Sequence, residues 1–146
     1  MATTTATITL DSADLLSDNL SLSATMNLYK GGTTATGLDQ MNYHRLVIPT
    51  GTSFDLIEES AALTEDANYV YIVNKNTDVT DYVTISINAE EIGRLYAGDW
   101  LWMPWDCDLS AAANDSSIEI QAYTHEHTIE YALFHNGETL VTSADS

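Results

Sequence analysis

One short segment of this 146-residue chain combines residue types that bind metal ions. His125 and His127 stand two positions apart, and Glu130 follows three positions later. On a regular β-strand the two imidazoles would point to the same side. Two imidazoles and a carboxylate form a common ligand set for zinc or iron. The spacing therefore identifies a candidate metal site, provided that both histidines lie on a strand.

The residues on either side of this segment favour a turn instead. Apolar residues occupy even positions over 118–122 and odd positions over 129–133. Such a switch in a two-residue period requires a turn or a bulge between two strands. We therefore expect His125 and His127 in a hairpin loop, as exposed polar residues or at a subunit contact. We predict no bound metal and no other cofactor.

A second segment resembles the Gly-Asp turn and the proline-terminated strand of cupin barrels, with Gly98-Asp99 as the turn and Pro104 as the end of the strand. In cupin enzymes, the resemblance implies, a His-x-His group precedes this turn and another histidine follows it, and together they hold the metal. This chain has no histidine between His44 and His125. The resemblance favours cupin-like β architecture and gives no support to cupin catalysis.

Other chemical groups do not form a recognisable catalytic set. Cys107 stands between two aspartates, whose charges disfavour the thiolate that a nucleophile needs. Paired carboxylates such as Glu58-Glu59 and Glu90-Glu91 are expected on the surface of so acidic a chain. No serine in a strand-to-helix elbow accompanies the histidines. We predict that the protein is not an enzyme.

The charge balance excludes several classes of partner. The chain has 22 Asp and Glu against 4 Lys and Arg, a formal net charge of −18. Phosphate binding needs clustered cations, and these four lie far apart in the sequence, so we expect no nucleic acid and no anionic membrane surface as a partner. Apolar residues make up 45% of the chain, which is enough to form the core of one domain. We find neither a signal peptide nor the roughly 20 apolar residues of a membrane helix, and expect a soluble protein.

The pattern of the first forty residues predicts an arm with two strands. Apolar residues alternate with polar ones over 6–10 and again over 20–28, which is the period of a half-buried strand. Residues 11–19 are expected to form a turn or a short helix, and the glycine- and threonine-rich segment 31–37 a hinge. We therefore predict an extended N-terminal arm at 1–40 and a separate body at 41–146.

The body carries the strand signals of an all-β fold. β-Branched and aromatic runs recur, separated by Gly, Asn, Asp or Pro. Short helical turns are predicted over 58–66 and 110–114. The expected fold is a single β-sandwich or jelly-roll-like domain with strands at 43–48, 53–57, 69–73, 82–87, 92–96, 100–103, 118–123 and 129–134.

One predicted strand has large apolar groups on both sides. Trp100 and Trp102 face one side, and Leu101 and Met103 face the other. This pattern favours a central strand packed between two sheets. A second interpretation is that the tryptophans meet another subunit, and a third is that they stack on carbohydrate.

Residues 69–135 resemble small virion proteins of tailed bacteriophages, especially marine and cyanobacterial ones. In both, a strand ends in Asn-x-Asn-Thr-Asp and its partner begins with Tyr-Val-Thr-Ile, as at 74–78 and 82–85. An Ile-Gly-Arg-Leu turn, a Gly-Asp-Trp strand and a final Ile-Glu-Tyr-Ala-Leu-Phe strand follow, as at 92–95, 98–100 and 129–134. The likeness consists of β-hairpin motifs and includes no catalytic signature.

The resemblance implies a capsid decoration (cement) protein, made in the host cytoplasm and bound to the exterior of the virion. Its partner would be the major capsid protein or another virion protein, and it would act as a homo-oligomer, with a trimer favoured. A strand-forming arm can bind the sheet edge of a neighbour, and the expected contact residues are Ile8, Leu10, Leu20 and Leu22. The alternatives are a neck, tail or fibre-attachment protein and a cupin-like metal-binding or carbohydrate-binding domain.

Overall fold

The computed structural model describes residues 4–15, 17–29, 37–38, 40–58, 68–105 and 116–135. Strands account for most of these residues, and no helix occurs among them. This confirms the predicted all-β fold. The strands are β1 Thr5–Ser12, β2 Leu20–Asn27, β3 Gln40–Ile48, β4 Ser53–Ile57, β5 Asn68–Asn74, β6 Tyr82–Ile87, β7 Glu90–Tyr96, β8 Trp100–Trp105, β9 Ile118–Ala122 and β10 His127–His135.

The last eight strands form two four-stranded antiparallel sheets. One, here called the β3 sheet, has the order β3-β10-β5-β8, and the other, the β4 sheet, has the order β4-β9-β6-β7. Apart from the β6–β7 hairpin, every step along the chain from β3 to β10 passes from one sheet to the other. This connectivity is that of an eight-stranded jelly roll, in which two sheets enclose one core.

The core lies between the two sheets because alternate residues of each strand point inward. On β5 these are Val70 and Ile72, and on β9 they are Ile118 and Ile120, all at most 1% exposed. Trp105 closes the core at the end of β8, where its indole N–H donates to the carbonyl oxygen of Ser116 at 2.8 Å. The two-residue period over 118–122 therefore also predicted the inward face of β9.

Two sequence predictions are wrong in detail. β8 is not a central strand, since it lies at the edge of the β3 sheet and pairs only with β5 among the described strands. β1 continues through Asp11 and Ser12, which had been expected in a turn. The helical turns predicted over 58–66 and 110–114 lie outside the described residues except for Glu58, and Cys107 lies outside them as well.

A tight turn between β6 and β7 places two residues in the left-handed region. Ile87 pairs with Glu90, so Asn88 and Ala89 alone form the turn, with φ of 53° and 59°. Two consecutive positive φ values define a type I′ turn, which favours Asn followed by Gly. Alanine at this position is strained because its Cβ crowds the backbone.

We therefore expect Ala89→Gly to stabilise the protein. Glycine relieves the strain energy of the left-handed backbone but also makes the unfolded chain more flexible. The strain energy relieved exceeds the free-energy cost of that flexibility by about 0.5–1 kcal/mol. Urea unfolding followed by tryptophan fluorescence measures the difference. Asn88→Ala serves as the opposite control, since it should destabilise the same turn.

The first two strands form a hairpin that is a sheet of its own. At its base, Leu28 donates its backbone N–H to the carbonyl oxygen of Thr4 at 2.9 Å and accepts from the backbone N–H of Leu38 at 3.1 Å, and both leucines are buried. Tyr29 and Gly37 form an isolated antiparallel bridge. The hinge predicted over 31–37 falls outside the described residues except for Gly37, and the division into an arm at 1–40 and a body at 41–146 stays a prediction.

Candidate binding surface

The β1–β2 hairpin has one polar and one apolar face. In its register, odd-numbered residues of β1 lie opposite odd-numbered residues of β2, so each face is uniform. The polar face is almost entirely Thr, Ser, Asp and Asn. Three of its cross-strand pairs are joined by side-chain hydrogen bonds: Thr5 to Asn27 at 2.9 Å, Thr7 to Thr25 at 3.1 Å and Ser21 to Asp11 at 2.8 Å.

The apolar face of the hairpin is left largely uncovered. Ile8 is 42% exposed, Leu10 48%, Leu22 54% and Met26 40%. Leu10 lies directly opposite Leu22, and Leu20 follows on the same face at an intermediate exposure. The structure thus brings the four predicted contact residues, Ile8, Leu10, Leu20 and Leu22, together on one face. Met26 joins them by the same alternation, although the contact prediction did not include it.

The outer face of the β3 sheet carries a group of aromatic side chains. Leu101 and Met103 of β8 pack against the core, so Trp100 and Trp102 point outward. The ring of Trp102 stacks on Tyr69 at a centroid distance of 5.5 Å and meets Phe134 edge-on at 5.5 Å. The predicted two-sided strand therefore has one side in the core and the other in an aromatic outer face.

A groove of about 470 Å³ separates the base of the hairpin from this aromatic face. The described residues that line it include no Asp, Glu, Lys, Arg or His. Its volume lies within the range of roughly 300–1,000 Å³ that is usual for ligand pockets. The hairpin side includes Ile8, Ala24 and Met26 with several threonines, and the sheet side consists of Tyr71, Trp100, Trp102 and Phe134.

The histidines do not form the metal site that their spacing suggested. His127 opens β10 and points into the core with no exposed surface, which corrects its assignment to an exposed loop. His125 lies in the preceding bend, and Glu130 leaves the opposite face of β10, where it pairs with Arg45 at 3.5 Å. In the described part of the chain, no three His, Cys, Asp or Glu side chains are arranged to hold a metal ion.

Both histidines instead contact the buried carboxylate of Asp81. His125 approaches one carboxylate oxygen through its backbone N–H at 3.1 Å and its Nδ1 at 2.9 Å. His127 Nε2 lies 3.3 Å from the same oxygen, outside hydrogen-bond geometry, while its Nδ1 contacts Asn74 and Asn76. The cluster ties the β5–β6 loop to the β9–β10 bend and is structural in character.

This cluster predicts a pH-dependent stability. Burial raises the pKa of Asp81, but hydrogen bonds from His125 and from the Tyr82 backbone, together with the nearby His127 ring, outweigh it, so the pKa is lowered from its ordinary value. A lowered folded-state pKa stabilises the fold above the unfolded pKa, and this contribution is lost as pH falls through the folded value.

We therefore expect Asp81→Asn to lower the free energy of unfolding at pH 5–7, and the gap from wild type to shrink below about pH 4. Urea titrations at each pH measure it. A gap that stays constant down to pH 2.5 would show that the carboxylate charge contributes nothing. Glu126→Gln, at an exposed position of the adjacent bend, is the control for general charge removal.

The strand order defines the class of this chain as a jelly roll with an added amphipathic hairpin. No protein-family model and no curated protein matches it. Among solved structures, the cupin domain of Cnp3 from Schizosaccharomyces pombe aligns over 94% of this chain and 88% of its own, with 13% identity and a TM-score of 0.38. These values are too low to transfer a function, and the jelly-roll assignment rests on the strand order. The described residues contain no helix long and apolar enough to cross a membrane.

Proposed function

We propose that this protein is a non-enzymatic structural component of a tailed-phage virion: a decoration protein that holds neighbouring major capsid subunits through its β1–β2 hairpin. The observation that carries the proposal is the exposed apolar face of that hairpin. Four large side chains, Ile8, Leu10, Leu22 and Met26, are each 40–54% exposed on one continuous surface. An apolar patch on a regular element marks an interaction site.

The two faces of the hairpin favour a partner protein on its apolar side. Its polar face is already satisfied by its own cross-strand hydrogen bonds, whereas its apolar face has no matching surface within the described chain beyond the groove at its base. An isolated two-stranded hairpin is marginally stable in water, and packing against a partner stabilises it. A protein partner supplies both the apolar contact and a strand edge for backbone hydrogen bonds.

Two further features support a virion protein over the other classes of protein that have this fold. Jelly rolls serve in viral capsids, lectins and cupins, so the fold by itself favours none of them. The β-hairpin motifs of residues 69–135 resemble phage virion proteins, and the net charge of −18 suits a protein outside a capsid filled with DNA. Assembly as a homotrimer, in which each hairpin reaches a capsid subunit, completes the proposal.

Deletion of residues 1–27 tests the proposal. The deletion removes both hairpin strands but keeps the buried Leu28. The shortened protein should keep its β-sheet circular dichroism and a cooperative unfolding transition. It should no longer sediment with purified expanded capsids that lack the native protein. Undiminished sedimentation of a folded deletion variant would exclude the hairpin as the attachment element.

A further inference from the structure

The groove and the apolar face of the hairpin are one continuous surface. Ile8 and Met26 belong to both: they are exposed on the hairpin face, and they also line the groove opposite Trp100 and Trp102. A partner that covers Leu10 and Leu22 therefore reaches the mouth of the groove without crossing a polar region.

We propose that the groove is the anchor pocket of this interface and takes an uncharged, apolar segment of the partner protein. The inference rests on the proposed function and adds what the partner must present: a short loop or strand end without acidic or basic side chains that inserts between the hairpin base and the aromatic face. The hairpin face would then contribute area, and the groove would contribute most of the affinity.

The chemistry of the lining selects this occupant. The described lining residues carry no charge, although the chain as a whole has a net charge of −18. A charged group that entered would lose its hydration without gaining a counter-charge or a charge-assisted hydrogen bond. An apolar side chain gains contact with four aromatic rings, Tyr71, Trp100, Trp102 and Phe134.

The aromatic lining of the groove also resembles the binding hot spots of protein interfaces. Tryptophan and tyrosine are enriched where a few residues carry most of the binding energy, and such residues lie in pockets surrounded by contacts that exclude water. Trp100 is 53% exposed at the mouth of the groove, and Trp102 is held in place by Tyr69 and Phe134. A rigid aromatic floor of this kind loses little conformational entropy when it binds.

Three substitutions in one binding assay separate this inference from the proposed function. Trp100→Ser removes an aromatic wall of the groove, and Ile92→Ser is its control, since Ile92 is 49% exposed on β7, an edge strand of the other sheet. Trp100→Ser should weaken binding to purified capsids about 30-fold, whereas Ile92→Ser should change it less than about twofold. If Leu22→Glu abolishes binding but Trp100→Ser leaves it unchanged, the hairpin function stands and the anchor pocket is rejected. If neither Leu22→Glu nor Trp100→Ser changes binding, both proposals fail.

Photo-crosslinking identifies the occupant directly. A benzoyl-phenylalanine side chain is placed at Trp100, at Leu22 or, as a control, at Ser23 on the polar face of the hairpin, and each protein is irradiated on capsids. Mass spectrometry should find the Trp100 and Leu22 probes on the same capsid protein, with a Trp100-linked peptide free of Asp, Glu, Lys and Arg around the linked residue, and should find little product at Ser23. A Trp100 product with a second copy, with this chain's own residues 136–146 or with a charged segment would overturn the inference.

Discussion

Leu22→Glu is expected to weaken attachment to capsids by about 100-fold or more, while Ser23→Glu, one residue further along β2, changes it by less than about twofold. Leu22 lies on the exposed apolar face of the hairpin, opposite Leu10, whereas Ser23 lies on the polar face, opposite Thr9. A partner that covers the apolar face would bury the new carboxylate without a cation. The same carboxylate at Ser23 stays in water.

Leu22→Glu and Ser23→Glu form a matched pair because both positions lie on the same exposed strand and receive the same charge. Any general effect of added negative charge, or of a weaker hairpin, appears in both variants. Co-sedimentation with purified capsids over a range of protein concentrations gives the two dissociation constants. Equal weakening by both variants would mean that the apolar face is not the contact surface.

The second large effect is a loss of stability that depends on where an isoleucine lies, in the core or on the hairpin. Ile120→Ala is expected to lower the free energy of unfolding by about 2–5 kcal/mol, because Ile120 is 1% exposed between the two sheets and its truncation leaves a cavity. Ile8→Ala, at 42% exposure, is expected to cost less than about 1 kcal/mol in the free protein. Urea unfolding of both variants measures the difference.

This contrast tests whether the hairpin serves the fold or a partner. If Ile8→Ala destabilised the free protein as much as Ile120→Ala, the apolar face of the hairpin would be packed against the body and unavailable for binding. A small stability loss combined with weaker capsid binding is the outcome that the exposed face predicts.

The strands of the body could be predicted because their signal is local. The segments 53–57 and 82–87 were predicted with the same bounds as β4 and β6, since Gly51 precedes the first segment and Asp81 and Asn88 flank the second. The switch of period around His125 likewise placed the turn between β9 and β10 correctly. These features depend on neighbours within a few residues, which one sequence displays.

Strand order was beyond the reach of the same reasoning. Trp100 and Trp102 suggested a central strand because both faces of β8 are apolar, yet the structure places β8 at an edge with its outer face beside the hairpin. His127 was expected in an exposed hairpin loop because the apolar period switches between 118–122 and 129–133. It is buried because Asn74, Asn76 and Asp81, some fifty residues away, surround its ring.

The groove could not be predicted from sequence for a related reason. Its two sides come from residues about 45 to 130 positions apart in the sequence, which only the folded chain brings together. The hairpin face itself was predictable, since the alternation of 6–10 and 20–28 assigns Ile8, Leu10, Leu20 and Leu22 to one side once the two strands pair.

Electron cryomicroscopy of intact particles tests the central claim most directly, since it shows where the protein lies, in how many copies and which surface is covered. The account predicts jelly-roll density at many symmetry-related positions on the capsid exterior, with the β1–β2 hairpin in contact with the major capsid protein. Density at the neck, tail or fibre base would assign it to another virion position. A hairpin that points into solvent, or the absence of this protein from purified particles, would contradict the account.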